Sequence, residues 1–304
     1  MHKLIITTLA TPGKAALDVL LLAESLRTFG GELADSPIRV MVPAALGPLS
    51  EAAQCELARW QIETIPFEAD EALLKFPFAA KIAATAQAES LTRGQSERLV
   101  FMDADTLILQ EPAEFLLSPG KTLGYRPVHH QLIGAAWGHP LDDFWRLIYE
   151  ICEVPDENTF PMLTHTGEQI YPYFNAGMFI VRPERGLLTQ WLERFQSWYR
   201  QPQLRGYYEK NQLYAIFIHQ AIFTGVLLAA LSPLEMQLLS PKINYPLHLH
   251  ADIPAAQRPA TIAELVTVRY ESIFDDSGWR QLPITGALQS WLESQPRVRD
   301  SLSV

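Results

Sequence analysis

Leu99-Val-Phe-Met-Asp103-Ala-Asp105-Thr-Leu-Ile-Leu109 is the stretch that decides how this chain reads. Four consecutive apolar residues without polar alternation mark a strand buried on both faces, as in a parallel sheet covered by helices. Two carboxylates then stand at its carboxyl end, spaced i and i+2. In open α/β sheets, ligands bind outside that end of the strands. Adjacent carboxylates repel unless a cation sits between them. Oxygen ligands suit a hard ion such as Mg²⁺ or Mn²⁺, and such an ion can hold a diphosphate and stabilise it as it leaves. The plainer alternative is an exposed turn, where Asp is common.

Upstream of this stretch, strand and helix signals alternate. Leu4 to Leu9, Ile38 to Val42 and Ile62 to Phe67 read as strands. Helices are predicted from Leu17 to Phe29, stopped by Gly30-Gly31, from about Ser50 to Trp60, and after Pro77 to about Leu91. This alternation predicts an α/β fold with a doubly wound parallel sheet. Downstream, Phe174 to Val181 reads as a strand. Leu188, Trp191, Leu192, Phe195 and Trp198 recur at helical spacing, so Gly186 to Arg200 is an amphipathic helix whose tryptophans belong to the core. Met236 to His250 reads as extended segments broken by Pro241 and Pro246, and a short helix is predicted near Thr285 to Glu293. No repeat or linker divides the chain, so a single domain over residues 1–304 is expected, with residues 1–110 and 111–304 as its two halves.

The bulk numbers bound the partners. The chain has 304 residues, 48% hydrophobic and 19% charged, which is enough to build a large core. A net charge of −10, with 24 unclustered basic residues, leaves no footprint for nucleic acid. Two cysteines, Cys55 and Cys152, make neither a disulfide framework nor a zinc site and fit a reducing cytoplasm. The apolar run at the N-terminus is too short for a signal-peptide core. Leu213 to Leu231 is apolar enough to weigh as a membrane span, but His219 and Gln220 lie mid-span, and a buried core helix reads the same way; no transmembrane span is expected.

Phe101-Met-Asp-Ala-Asp-Thr-Leu-Ile-Leu109 resembles the Asp-x-Asp segment of glycogenin and its relatives, the family-8 glycosyltransferases of GT-A fold. Other segments follow in the family's order over roughly residues 4 to 252. Thr7-Thr-Leu9-Ala10-Thr11 and the helix ending Glu24-Ser-Leu-Arg27 resemble the opening strand and nucleotide loop. Lys81 resembles a donor-contacting lysine, and Tyr173-Phe-Asn175-Ala176-Gly177 the strand whose Asn reaches the sugar. His219-Gln220 stands where the family has Asp-Gln. Pro246-Leu-His248-Leu-His250 resembles the late strand that gives the metal a histidine.

The resemblance implies a metal-dependent transferase that moves a sugar from a nucleotide-diphosphate donor, a UDP-sugar by analogy, to an acceptor that could be glycan, lipid or protein. It implies donor contacts from Leu9, Ala10, Thr11, Lys81, Asp103, Ala104, Asp105, Asn175 and Ala176. His219 and Gln220 would lie at the reacting sugar, with Mn²⁺ or Mg²⁺ on Asp103, Asp105 and His250. On an extended segment His248 and His250 would share a face, and His250 is preferred because it lies nearer the strand end.

This sequence departs from the family's pattern in three places. Pro12-Gly-Lys14 replaces an aromatic residue, His219 replaces an acid, and the Gly and Lys expected after His250 are missing. These departures leave room for a non-catalytic nucleotide-sugar binder. A haloacid-dehalogenase-type phosphatase also uses Asp-x-Asp after an apolar strand, with Asp275-Asp276 as a possible later acidic motif, but Thr106 stands one place early for it. A nucleotidyltransferase would need a Gly-rich opening loop to cradle phosphates, which Leu9-Ala-Thr-Pro-Gly13 does not supply.

Overall fold

A computed structural model describes residues 1–11, 15–275, 278–295 and 298. Pro12, Gly13, Lys14 and Asp276, named above, lie outside the described residues. The first half runs β1 (Ile5–Leu9), α1 (Ala15–Phe29), β2 (Ile38–Pro43), α2 (Glu51–Arg59), β3 (Glu63–Phe67), α3 (Glu71–Leu74), α4 (Ala79–Thr92), β4 (Leu99–Met102) and β5 (Thr106–Ile108). It continues with β6 (Leu123–Pro127), α5 (Asp143–Cys152), β7 (Met162–Leu163), β8 (Gln169–Ile170), β9 (Phe174–Val181), α6 (Leu187–Trp198), α7 (Pro202–Lys210) and α8 (Gln212–Ala230). The last elements are β10 (Met236–Leu238), β11 (Tyr245–Pro246), β12 (Thr267–Arg269) and α9 (Gly286–Ser294).

The central sheet has seven strands in the order β10-β6-β9-β4-β1-β2-β3. All run in one direction except β9, which is antiparallel to both β4 and β6. This is the mostly parallel, helix-flanked α/β architecture that the alternation predicts. Strand order reverses between β1 and β4, so a cleft opens at their carboxyl ends. The β4 run is buried on both faces, as its lack of alternation requires. Leu99 and Phe101 pack with α4, α6 and α8. Val100 and Met102 pack with α1 on the opposite face. A smaller sheet, β11-β12-β5, carries a third cluster with Trp279, Leu288 and Leu292.

Helix starts follow local chemistry. The Asn211 side chain accepts from Leu213 N–H to open α8, and Asp142 accepts from Trp145 N–H to open α5. By length and composition α8 could cross a membrane, yet 61% of its apolar window is buried inside the protein, where it packs on β9, α5 and α6. Glu89, inside α4, is fully buried because it caps α6. It accepts from Leu188 N–H at 3.1 Å, Thr189 N–H at 2.9 Å and Thr189 Oγ at 2.8 Å.

Met236 to His250 is less extended than its sequence predicts. Only β10 and β11 are strand, and Leu247–Leu249 forms a 3₁₀ turn. At three residues per turn, positions i and i+2 no longer share a face, so His248 and His250 diverge.

Candidate active site

Three neighbouring elements assemble the site around Asp103. The register of β9 on β4 sets Met178 beside Met102, and Asp103 N–H donates to Gly177 O at 2.8 Å. The register of β12 on β5 sets Arg269 opposite Thr106, and Tyr270 N–H donates to Asp105 O at 3.0 Å. Helix α4 opens at Phe78, whose φ of 57° turns the chain so that Lys81 enters from the other side.

The result is a quartet of alternating charge. Lys81 Nζ lies 2.7 Å from Asp103 Oδ1 and donates to Oδ2 at 2.8 Å. Arg269 Nη1 donates to Asp103 Oδ2 at 2.6 Å, and its Nε lies 2.6 Å from Asp105 Oδ1. Burial would raise the Asp103 carboxyl, but Arg269 and Lys81 outweigh it and hold the group below its ordinary range. Burial raises Asp105, with Asp103 adding to that and Arg269 opposing. Burial lowers Lys81, against the pull of Asp103. Burial alone would lower Arg269, yet the two aspartates hold it above its ordinary value.

Gly177 makes room for this arrangement. A Cβ there would lie 2.5 Å from Arg269 Nη1, 2.8 Å from Asp103 Oδ2 and 3.0 Å from Asn175 Oδ1.

Two hollows meet at the quartet. One, about 510 Å³, lies at the carboxyl end of β1; Leu9, Asp18, Ala104 and Asp105 contribute to it. The other, about 250 Å³, is lined by His129, His130, Asn175, His219, Gln220 and His248, among others. Phe78, Lys81, Asp103, Arg269 and Glu271 belong to both.

The site residues named from sequence divide as follows. Leu9, Lys81, Asp103, Ala104 and Asp105 wall the first hollow. Ala10 is buried, its N–H donating to Met41 O at 3.0 Å, and Thr11 is half-buried beside it. Asn175 lines the second hollow, its Oδ1 accepting from Gly177 N–H at 2.7 Å. Ala176 is buried, and its N–H donates to Gln220 Oε1 at 2.8 Å, which ties β9 to α8 and leaves the Gln220 amide group at the pocket wall. His219 stacks on Phe78 at 4.8 Å, with Nδ1 2.8 Å from Ile216 O. That contact fits Nδ1 as the protonated nitrogen and leaves Nε2 as the lone-pair atom. Burial, helped by Lys81, pushes His219 down to about 3, so the ring is neutral.

His250 is placed elsewhere. The 3₁₀ turn sends it to a hydrogen bond with Tyr245 OH at 2.8 Å, while His248 faces the pocket and lies 3.5 Å from Glu271. A divalent ion on Asp103 and Asp105 would compete with Lys81 and Arg269, which engage both Asp103 oxygens and Asp105 Oδ1. No group of three or more His, Cys, Asp or Glu among the described residues could hold a metal. The donor set does not fit the expected ion.

Sequence reading missed Arg269 and Glu271. Arg269 is a single cation in the short alternating run Thr267-Val-Arg-Tyr270 and Glu271 follows it, both just beyond the segment that carries the resemblance.

The fold, with its cleft at the switch point, is the GT-A fold of solved glycosyltransferase structures. The galactosyltransferase LgtC, in an active-site variant, superposes with a TM-score of 0.50 at 13% identity, covering 95% of this chain and 94% of that one. The bifunctional glycosyltransferase WbbM gives 0.50 at 11% identity, covering 99% of this chain and 51% of that one. Mouse xyloside xylosyltransferase 1 gives 0.47 at 13% identity, covering 89% of this chain and 97% of that one. At such identities the likeness concerns the fold alone. A comparison with curated protein sequences finds no match. Residues 6–212 match the Rhodobacterales glycosyltransferase domain, and the chain belongs to that family.

Proposed function

We propose that this glycosyltransferase takes a nucleotide-diphosphate sugar, with the nucleotide in the larger hollow, the sugar in the histidine-lined pocket and the diphosphate across Lys81 and Arg269. The observation that carries this reading is the meeting of the two hollows at that pair. A guanidinium has five N–H donors; Asp103 accepts from Nη1, and Asp105 lies 2.6 Å from Nε as an ion pair. In this reading the other N–H groups meet phosphate oxygens in charge-assisted hydrogen bonds. As the bond from the anomeric carbon to the terminal phosphate oxygen breaks, those fixed donors meet the charge that develops on the leaving diphosphate. The amide groups of Asn175 and Gln220 and the His219 Nε2 are suited to hold sugar hydroxyls. A neutral His219 acts there as a hydrogen-bond acceptor.

The order of the segments that resemble glycogenin-type transferases supports UDP as the nucleotide, and two free cysteines support a reducing, cytoplasmic setting. A thermal-shift screen of UDP-, GDP- and ADP-sugars tests the proposal. A ligand bound only by the folded state stabilises it by about 2.7 kcal/mol at a hundredfold excess over Kd. A UDP-sugar should raise the melting temperature; a flat response to every sugar nucleotide would refute the reading.

A further inference from the structure

We propose that Arg269 takes the place of the divalent cation, so that this chain engages its donor diphosphate without metal. The claim rests on the donor reading only for the diphosphate; the replacement of the ion by the guanidinium stands on the protein alone.

Both Asp103 oxygens are occupied: Lys81 meets each of them and Arg269 meets Oδ2, while Asp105 Oδ1 lies 2.6 Å from Arg269 Nε. An ion bound at roughly 2.1 Å from these three oxygens would overlap the two cations, which leave only Asp105 Oδ2 unengaged.

Charge points the same way. Lys81 and Arg269 carry two positive charges against the two negative charges on Asp103 and Asp105, with Glu271 as one further carboxylate beside them, so the quartet itself balances. A divalent ion would add two more and would have to expel Arg269. Breaking a buried pair by removing one partner is strongly destabilising, because it leaves an uncompensated charge.

The fold also holds the guanidinium in place. Arg269 is placed by strand pairing on one side and by the Tyr270 to Asp105 hydrogen bond on the other, and its guanidinium fills the space above Gly177 that a side chain would take. Only 16% of its side chain is exposed. His250, the histidine expected to complete a metal site, is turned to Tyr245, and His248, which faces the pocket in its place, lies 3.5 Å from Glu271.

Manganese uptake tests this directly. Mn²⁺ is titrated against the chain and followed by the electron paramagnetic resonance of the free ion, without UDP and with it, using UDP alone as the control. The wild type should leave the signal at the control level in both arms. Arg269→Gln should acquire a stoichiometric site, and Arg269→Gln combined with Asp105→Asn should lose it. A stoichiometric Mn²⁺ site in the wild type, abolished by Asp105→Asn, would overturn the proposal. The wild-type titration decides the matter even if Arg269→Gln does not fold. Absence of uptake together with no thermal response to any sugar nucleotide would uphold the replacement and remove the donor reading instead.

Discussion

Gly177→Ala probes the quartet without touching a charged residue. The new methyl would sit 2.5 Å from Arg269 Nη1 and 2.8 Å from Asp103 Oδ2, well inside contact distance. β12 holds the Arg269 backbone, so making room for the methyl shifts the guanidinium away from Asp103, which it meets at 2.6 Å. Breaking a buried pair by loss of one partner costs about 3–5 kcal/mol. Asp103 keeps Lys81, so the loss here is partial, and we expect roughly 3 kcal/mol, the lower end of that range. Equilibrium urea unfolding measures it, with an unchanged m-value showing that the loss lies in the native state. Gly206→Ala is the control. It sits inside α7 with nothing near its added methyl, and it should gain up to about 1 kcal/mol of helix propensity. A Gly177→Ala variant as stable as the wild type would show that Arg269 is not pinned above Gly177, and the reasoning about the quartet would fall.

Two further outcomes follow from buried groups. His219 and His165 are each pushed by burial down to about 3, below the unfolded value near 6.5. Their folded forms are neutral, so stability is complete above about pH 6.5 and falls as acid charges the unfolded chain. At pH 5 each should cost about 2 kcal/mol, measurable as a drop in urea midpoint between pH 7 and pH 5 that His219→Asn partly removes; a midpoint independent of pH would contradict this. Glu89→Ala strips the cap from α6 and leaves buried donors of Leu188 and Thr189 unmet, at a cost of about 3 kcal/mol. Glu89→Gln, which keeps one acceptor oxygen, should cost clearly less in the same unfolding assay, and equal costs would rule out the capping role.

Much of this architecture is written locally. The unbroken apolar run before Asp103 requires burial on both faces, and β4 packs against α4 on one side and α1 on the other. The Asn-Ala-Gly segment and Gln220 are also local, and the fold brings both to one pocket wall. Helix α5 carries local signals, a cap at Asp142 and apolar residues that face the core, although no helix is expected there from the sequence. Other features have no local signature. The 3₁₀ turn at Leu247–Leu249 defeats an argument based on strand alternation, and so exchanges His250 for His248 at the pocket. Arg269 reaches Asp103 across 166 positions. That contact comes from the pairing of two three-residue strands, β5 and β12, and nothing in either strand alone announces it. The carboxylates at the end of β4 are therefore legible in the sequence, while the presence of Arg269 beside them is a tertiary fact.

The most direct measurement is a calorimetric titration of a UDP-sugar into the wild type and Lys81→Met. Methionine puts an apolar side chain beside Phe78 and Phe101, the rings that Lys81 Nζ faces at 5.2 and 5.8 Å, and leaves Arg269 to partner Asp103, so the fold should persist. A hydrogen bond to a charged group contributes about 1.5–3 kcal/mol, so Lys81→Met should bind the donor roughly tenfold to a hundredfold more weakly. Equal affinity in the two proteins, or no heat of binding in the wild type, would contradict the assignment of this cleft as the donor site.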